Sequence, residues 1–161
     1  MQYSQGRIGR VFTIRFEHGE DFLTELDRFV RTENVSAGTV QFLGALREGQ
    51  VITGPKEPVI PPVPQHQDLY GGWEILGFAT IYPGLEGPAI HLHTTAGRGI
   101  KAVTGCLRKK AEVYLVVEAV VTEFINIRAS RVHDEATGLL LPVFEQTLEP
   151  EQERPPEETA Q

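Results

Sequence analysis

Two histidines two residues apart, His91 and His93, are the residues whose types and spacing most directly suggest chemistry. They lie in Ala89-Ile90-His91-Leu92-His93-Thr94, a short apolar stretch after Pro83-Gly84 and Gly87-Pro88, which reads as a β-strand following a turn. In a strand, residues i and i+2 share a face. Both imidazoles therefore project from one side while Leu92 packs on the other. Paired imidazoles on a rigid strand make a natural start for a zinc-type site. The same pattern also describes the polar face of an amphipathic strand, and the pair alone leaves both readings open.

The single cysteine, Cys106, excludes an internal disulfide and leaves three roles: a small buried hydrophobe, a nucleophile or a metal ligand. Glu74 is an acid on an otherwise apolar strand, so it is a candidate general acid/base as well as a plain solvent-facing carboxylate. His66 leaves a proline-rich segment and could swing toward a site, whereas His18 reads as an exposed turn residue. Arg108-Lys109-Lys110 reads as a charged turn, either solvated or phosphate-binding. No Gly-x-Ser-x-Gly elbow, phosphate-binding Gly-x-x-x-x-Gly-Lys loop or His-Glu-x-x-His helix is present, and Gly97-Arg98-Gly99 is too short for a nucleotide fingerprint.

The elements that must position these residues are mostly strands. Arg10 to Phe16 alternates, with Phe12, Ile14 and Phe16 on one face. Acids at Glu20 and Asp21 suit a helix start, and Phe22, Leu26, Phe29 and Val30 then form one apolar stripe ending at Glu33-Asn34. Ser36 to Leu46, with a bulge at Gly44, and Gln50 to Thr53 read as further strands. Five prolines between Gly54 and Gln67 predict an extended surface loop. Strands follow over Trp73–Tyr82 and around His91-Leu92-His93. A Gly-rich connection over 94–101 leads to a long β-branched run, Ala111–Thr122, expected to be buried on both faces. The pattern predicts an α+β fold: a largely antiparallel sheet covered by one main helix, in a single domain over residues 1–147. Residues 148–161, rich in Glu, Gln and Pro, are expected to be a disordered tail.

Length and charge narrow the function classes. A chain of 161 residues makes one domain with a real core. The net charge is −7; five acids and one arginine in residues 149–161 leave 17 acids and 14 bases elsewhere, a body balance of −3. A stand-alone nucleic-acid binder would carry a basic footprint. No apolar run approaches the roughly 18 residues of a membrane-spanning helix, and the polar start lacks a signal-peptide core, so a cytoplasmic location is expected.

Several segments occur in order: Gly9-Arg10-Val11-Phe12 leading to Gly19-Glu20-Asp21, then Gly44-Ala45-Leu46, Gly72-Trp73-Glu74-Ile75-Leu76, His91-Leu92-His93 and Gly105-Cys106-Leu107. Together they resemble the PPC (plant and prokaryote conserved) domain, a domain of unknown function. The resemblance spans roughly residues 6–145 and implies an α+β fold assembling as a homotrimer. Plant members carry AT-hooks that bind A·T-rich minor grooves, and Gly72, Trp73, Glu74, Ile75 and Leu76 look like their partner-binding motif. This chain has no Arg-Gly-Arg-Pro core: Arg98-Gly99 is followed by Ile100, so DNA binding is not expected from the resemblance. Prokaryotic relatives group a third histidine with the first two in a metal-type site, and it matches Cys106 here. The implied ligand set is His91, His93 and Cys106, with zinc as the expected ion because cysteine keeps zinc affinity, and another divalent transition metal as the alternative. The fourth ligand is open among water, Glu74, His66 and a neighbouring subunit.

Three functional readings follow. The first is a trimeric zinc-binding module with a binding or regulatory role and an unassigned small-molecule ligand. The second is a zinc-dependent hydrolase using the same three ligands and a bound water. The third is a DNA-associated protein.

Overall fold

Alternation of apolar residues sets the architecture of the computed structural model, which describes residues 1–146. The tail expected over 148–161 lies outside the described residues. In β1 (Arg7–Glu17), Phe12, Ile14 and Phe16 turn toward the core, as their period-two spacing predicts. Helix α1 (Phe22–Thr32) is capped by Asp21, whose carboxylate accepts from the Thr24 N–H at 2.9 Å. Its other oxygen accepts from the Ala111 N–H at 2.9 Å and ties the cap to the sheet. Burial pushes this carboxyl up, yet the bonds from Ala111 and Thr24 hold it below the usual range. Phe22, Leu26 and Val30 are fully buried, each contributing about 1.5–3 kcal/mol of apolar transfer. Phe29, half-buried, meets Phe12 edge-on at 5.2 Å.

The remaining strands are β2 (Gly38–Pro55), β3 (Pro64–Gly84), β4 (Gly87–Arg98) and β5 (Lys101–Ile125). They join β1 in one antiparallel sheet of order β1-β5-β2-β3-β4. The sheet curls until β4 pairs with the start of β5, so β5, β2, β3 and β4 close a ring. A separate hairpin, β6 (Ala129–Asp134) with β7 (Leu139–Phe144), reaches back over β3. Arg131 donates to Thr80 Oγ1 at 2.8 Å, and the Tyr82 and Phe144 rings meet edge-on at 5.4 Å.

The largely antiparallel sheet matches the sequence reading, and the register shift beside Gly44 is the expected bulge. Several details differ. Residues 94–98, expected in a connection, continue β4 and pair with β5. The helix is short: its 11 residues span about 16 Å, so it covers part of the sheet and is not a full layer. The run 111–122 is buried on one face only, with Tyr114, Leu115 and Val120 exposed on the other. Arg108, Lys109 and Lys110 lie inside β5 and not at a turn, with Lys109 at φ 61° absorbing an irregularity. Residues 64–67 belong to β3, which leaves 56–63 as the proline-rich connection. Among the described residues, no helix is long and apolar enough to cross a membrane.

Candidate metal centre

The ladders decide which face each side chain takes, because directly opposed residues project to the same side. His93 on β4 stands opposite Cys106 on β5 and Phe78 on β3, while His91 stands opposite Thr80. The intervening Leu92 and Leu107 are buried in the core with α1. His91, His93 and Cys106 therefore share the outward face of the curled sheet, away from the helix. Gly105 makes this meeting possible: a Cβ there would lie 2.0 Å from the Ile52 carbonyl oxygen. β5 consequently runs tight against β2, and Cys106 stands between Ile52 and His93.

One ligand atom from each of the three lies within 4.8 Å of the others. Cys106 Sγ is 3.3 Å from His91 Nε2 and 2.9 Å from His93 Nε2. The two imidazoles meet edge-on, with centroids 4.9 Å apart. Zinc-like bond lengths in a tetrahedron would separate neighbouring N and S donors by about 3.6 Å. Both observed separations are shorter than this, so an ion would part the donors slightly; two imidazoles and a thiol are a set that suits a borderline-soft transition metal. Burial first, then the positive charges of Arg131, His93 and Arg108, pushes His91 down to about 4. At neutral pH its ring is uncharged, as a metal ligand must be.

The other sequence candidates stand apart from this cluster. Glu74 is four residues along β3 from Phe78, about 13 Å at strand rise, and lines a different cavity with Arg47 and Arg98. His66 pairs with Ile52, which in turn pairs with Cys106; two strand spacings put it about 10 Å away. The segment Gly72 to Leu76 is split by the pleat. Ile75 is in the core, Trp73 is half-buried with its indole N–H donating to the Tyr70 carbonyl at 3.2 Å, and Glu74 and Leu76 are exposed. Sequence reasoning missed Arg131, which packs beside the cluster. Its neighbours Ser130 and Val132 offer no local signal, since only the hairpin's return over Thr80 and Tyr82 places it there.

Fold and cluster together define a small α+β protein with three side chains that could hold a metal ion on the outside of a curled antiparallel sheet. The chain belongs to the Plants and Prokaryotes Conserved (PCC) domain family, whose model matches residues 3–125. This is the family that the ordered segments resembled. A metal-containing protein from Archaeoglobus fulgidus is similar in structure, with a TM-score of 0.78 at 23% identity over 88% of this chain and 98% of that one. A plant- and prokaryote-conserved protein from Pyrococcus horikoshii gives a TM-score of 0.71 at 21% identity over 89% of this chain and 96% of that one. A protein from Bacteroides thetaiotaomicron, provisionally described as DNA-binding, gives 0.69 at 24% identity over 90% and 98%. At these identities the likeness is one of fold. No curated protein is recognisably similar to the sequence.

Proposed function

We propose that this chain is a metal-binding member of its family in which His91, His93 and Cys106 hold zinc, and that it works as a homotrimeric binding or regulatory module. The observation that carries the reading is the convergence of two imidazoles and the only thiol within 4.8 Å on adjacent strands. The metal-containing Archaeoglobus neighbour supports a metal on this fold without identifying the ion. Zinc is the choice that suits a His2Cys set.

Zinc held there supplies Lewis acidity and lowers the pKa of a bound water to about 7. The chain's own part is positional. His91 offers a neutral imidazole, held by burial in that form, and β4 and β5 fix the separation of all three donors through their ladder. With Glu74 and His66 remote, the fourth position falls to water or to a residue of a neighbouring subunit. Assembly has its own support. Leu43, Leu76, Phe78 and Val120 are 53%, 66%, 47% and 38% exposed on the face that carries the cluster. Contiguous apolar patches of this kind mark interaction surfaces, and the family resemblance gives the number three.

A cavity of about 250 Å³ bordered by His91 favours a second reading, a zinc-dependent hydrolase. That reading lacks a general base, because no Asp or Glu joins the three donors among the described residues. The charge of −7 gives no support to DNA association.

The test is metal content per subunit by elemental mass spectrometry, comparing wild type with Cys106→Ala. Near-stoichiometric zinc in wild type and its loss in the variant are expected. Wild-type protein that holds no metal, even after zinc is offered and the excess removed, would defeat both zinc readings.

A further inference from the structure

Beside the metal donors lies an arginine that has no counterion among the described residues. Arg131 is only 6% exposed. Its terminal nitrogens donate to the Leu140 carbonyl at 3.3 Å and to Thr80 Oγ1 at 2.8 Å, while its buried Nε finds no acceptor among the described residues. The Tyr82 ring, 5.7 Å from the guanidinium carbon, supports one side of it. No Asp or Glu forms an ion pair with Arg131 among the described residues. Arg108, exposed on β5, has none among the described residues either, and both arginines line the 250 Å³ cavity that His91 borders. Two like charges facing one cavity, one of them buried, are unfavourable unless an anion joins them.

We propose that this cavity, between β4 and the β6–β7 hairpin, is an anion pocket. Arg131 and Arg108 there take the carboxylate or phosphate of a small molecule whose other end reaches the metal at His91, His93 and Cys106. The anion half stands on the arginines alone; the metal half rests on the reading above. A guanidinium presents a planar fork that matches both oxyanions, which a lysine does not. Thr80, Leu140 and Tyr82 hold that fork in place before any ligand arrives. The cavity is smaller than the roughly 300–1,000 Å³ of drug-sized sites, so the molecule has few heavy atoms. The chain's own Leu140 and Pro142 line the space, and a neighbouring subunit's carboxylate is the competing occupant that the test distinguishes.

The test is calorimetric titration of inorganic phosphate and of malonate at constant ionic strength, into zinc-loaded and metal-stripped protein. Wild type is expected to bind at least one probe in both metal states. Arg108→Ala, an exposed position that leaves folding intact, and Arg131→Lys should each weaken binding about tenfold or more. That result on metal-stripped protein supports the pocket even if zinc never loads, which separates its fate from the metal reading. Three results overturn it: no binding of either probe at millimolar concentrations, binding indifferent to Arg108→Ala, or a crystal structure of the assembled protein with a neighbour's carboxylate on Arg131.

Discussion

Replacing Gly77 with alanine tests the closeness of the ladder that builds the site. Gly77 stands between Phe42 on β2 and Thr94 on β4. A Cβ there would lie 2.0 Å from Phe42 Cζ and 2.4 Å from the His93 carbonyl oxygen. Carbon atoms pack best at about 3.5–4.0 Å, so the ring must retreat by about 1.5 Å or β3 must part from β4. Phe42 is buried against Phe22 at 4.9 Å, so its retreat disturbs the seat of α1. Overpacking typically costs 1–3 kcal/mol, and a clash with both a core ring and a backbone oxygen belongs at the upper end, about 3 kcal/mol. For a chain of this size each kcal/mol moves the melting temperature by about 2–4 °C, so Gly77→Ala should melt about 6–12 °C below wild type. Gly97→Ala is the control, because a Cβ there meets nothing within 4 Å; its stability should be unchanged or gain up to about 1 kcal/mol. Scanning calorimetry reads both, and on the zinc reading proposed above a chelator competition should find weaker binding in Gly77→Ala if β4 and His93 shift. A Gly77→Ala melt within about 2 °C of wild type, or an equal drop in Gly97→Ala, would refute the packing argument.

Two further perturbations probe other parts of the molecule. Arg10 donates to Glu123 at 2.8 Å and, chiefly through this bond, holds its carboxyl at about 2 against an ordinary 4.5. A depressed carboxyl stabilises the fold above its unfolded pKa, and this contribution is lost as pH falls from about 4.5 toward 2. Wild type should therefore lose more melting temperature than Glu123→Gln between those limits; superimposable acid limbs would contradict the assignment. Leu76→Glu places a charge in the exposed apolar face, so light scattering should find a smaller species than wild type. A wild type that is monomeric at micromolar concentration would end the assembly proposal.

Much of this was legible because strand alternation is local. Phe12, Ile14 and Phe16 read as an inward face, and His91 and His93 read as neighbours on one side, without knowledge of their partners. The stripe of α1 was legible for the same reason, since Phe22, Leu26 and Val30 recur at helical spacing. Closure of the ring was not legible. Cys106 meets His93 only because β5 passes between β2 and β4, and periodicity says nothing about which strands pair. That residue was reached through the family resemblance. The prolines hid the first part of β3, where Pro64 pairs opposite Pro55 near the end of the ladder and a missing N–H matters least. Outward apolar residues such as Leu115 and Val120 made β5 look buried on both faces, because hydropathy alone does not say which apolar residues stay exposed.

The alternation that made the strands readable also separates the site from the scaffold. On β4, His91 and His93 bracket the buried Leu92; on β5, Cys106 is followed by the buried Leu107. The inward residues secure the strands to the core, and the outward ones are free to change chemistry without emptying it. An exchange of histidine for cysteine at position 106, as the family resemblance implies, then costs little in packing. The backbone there is fixed by the tight approach of Gly105 to Ile52 and not by the ligand side chain. Cys106→Ala should accordingly fold as well as metal-stripped wild type and differ from it only when zinc is present. A variant that instead unfolds without metal would mean that the thiol, half-buried beside two imidazoles, serves the core and not the ion.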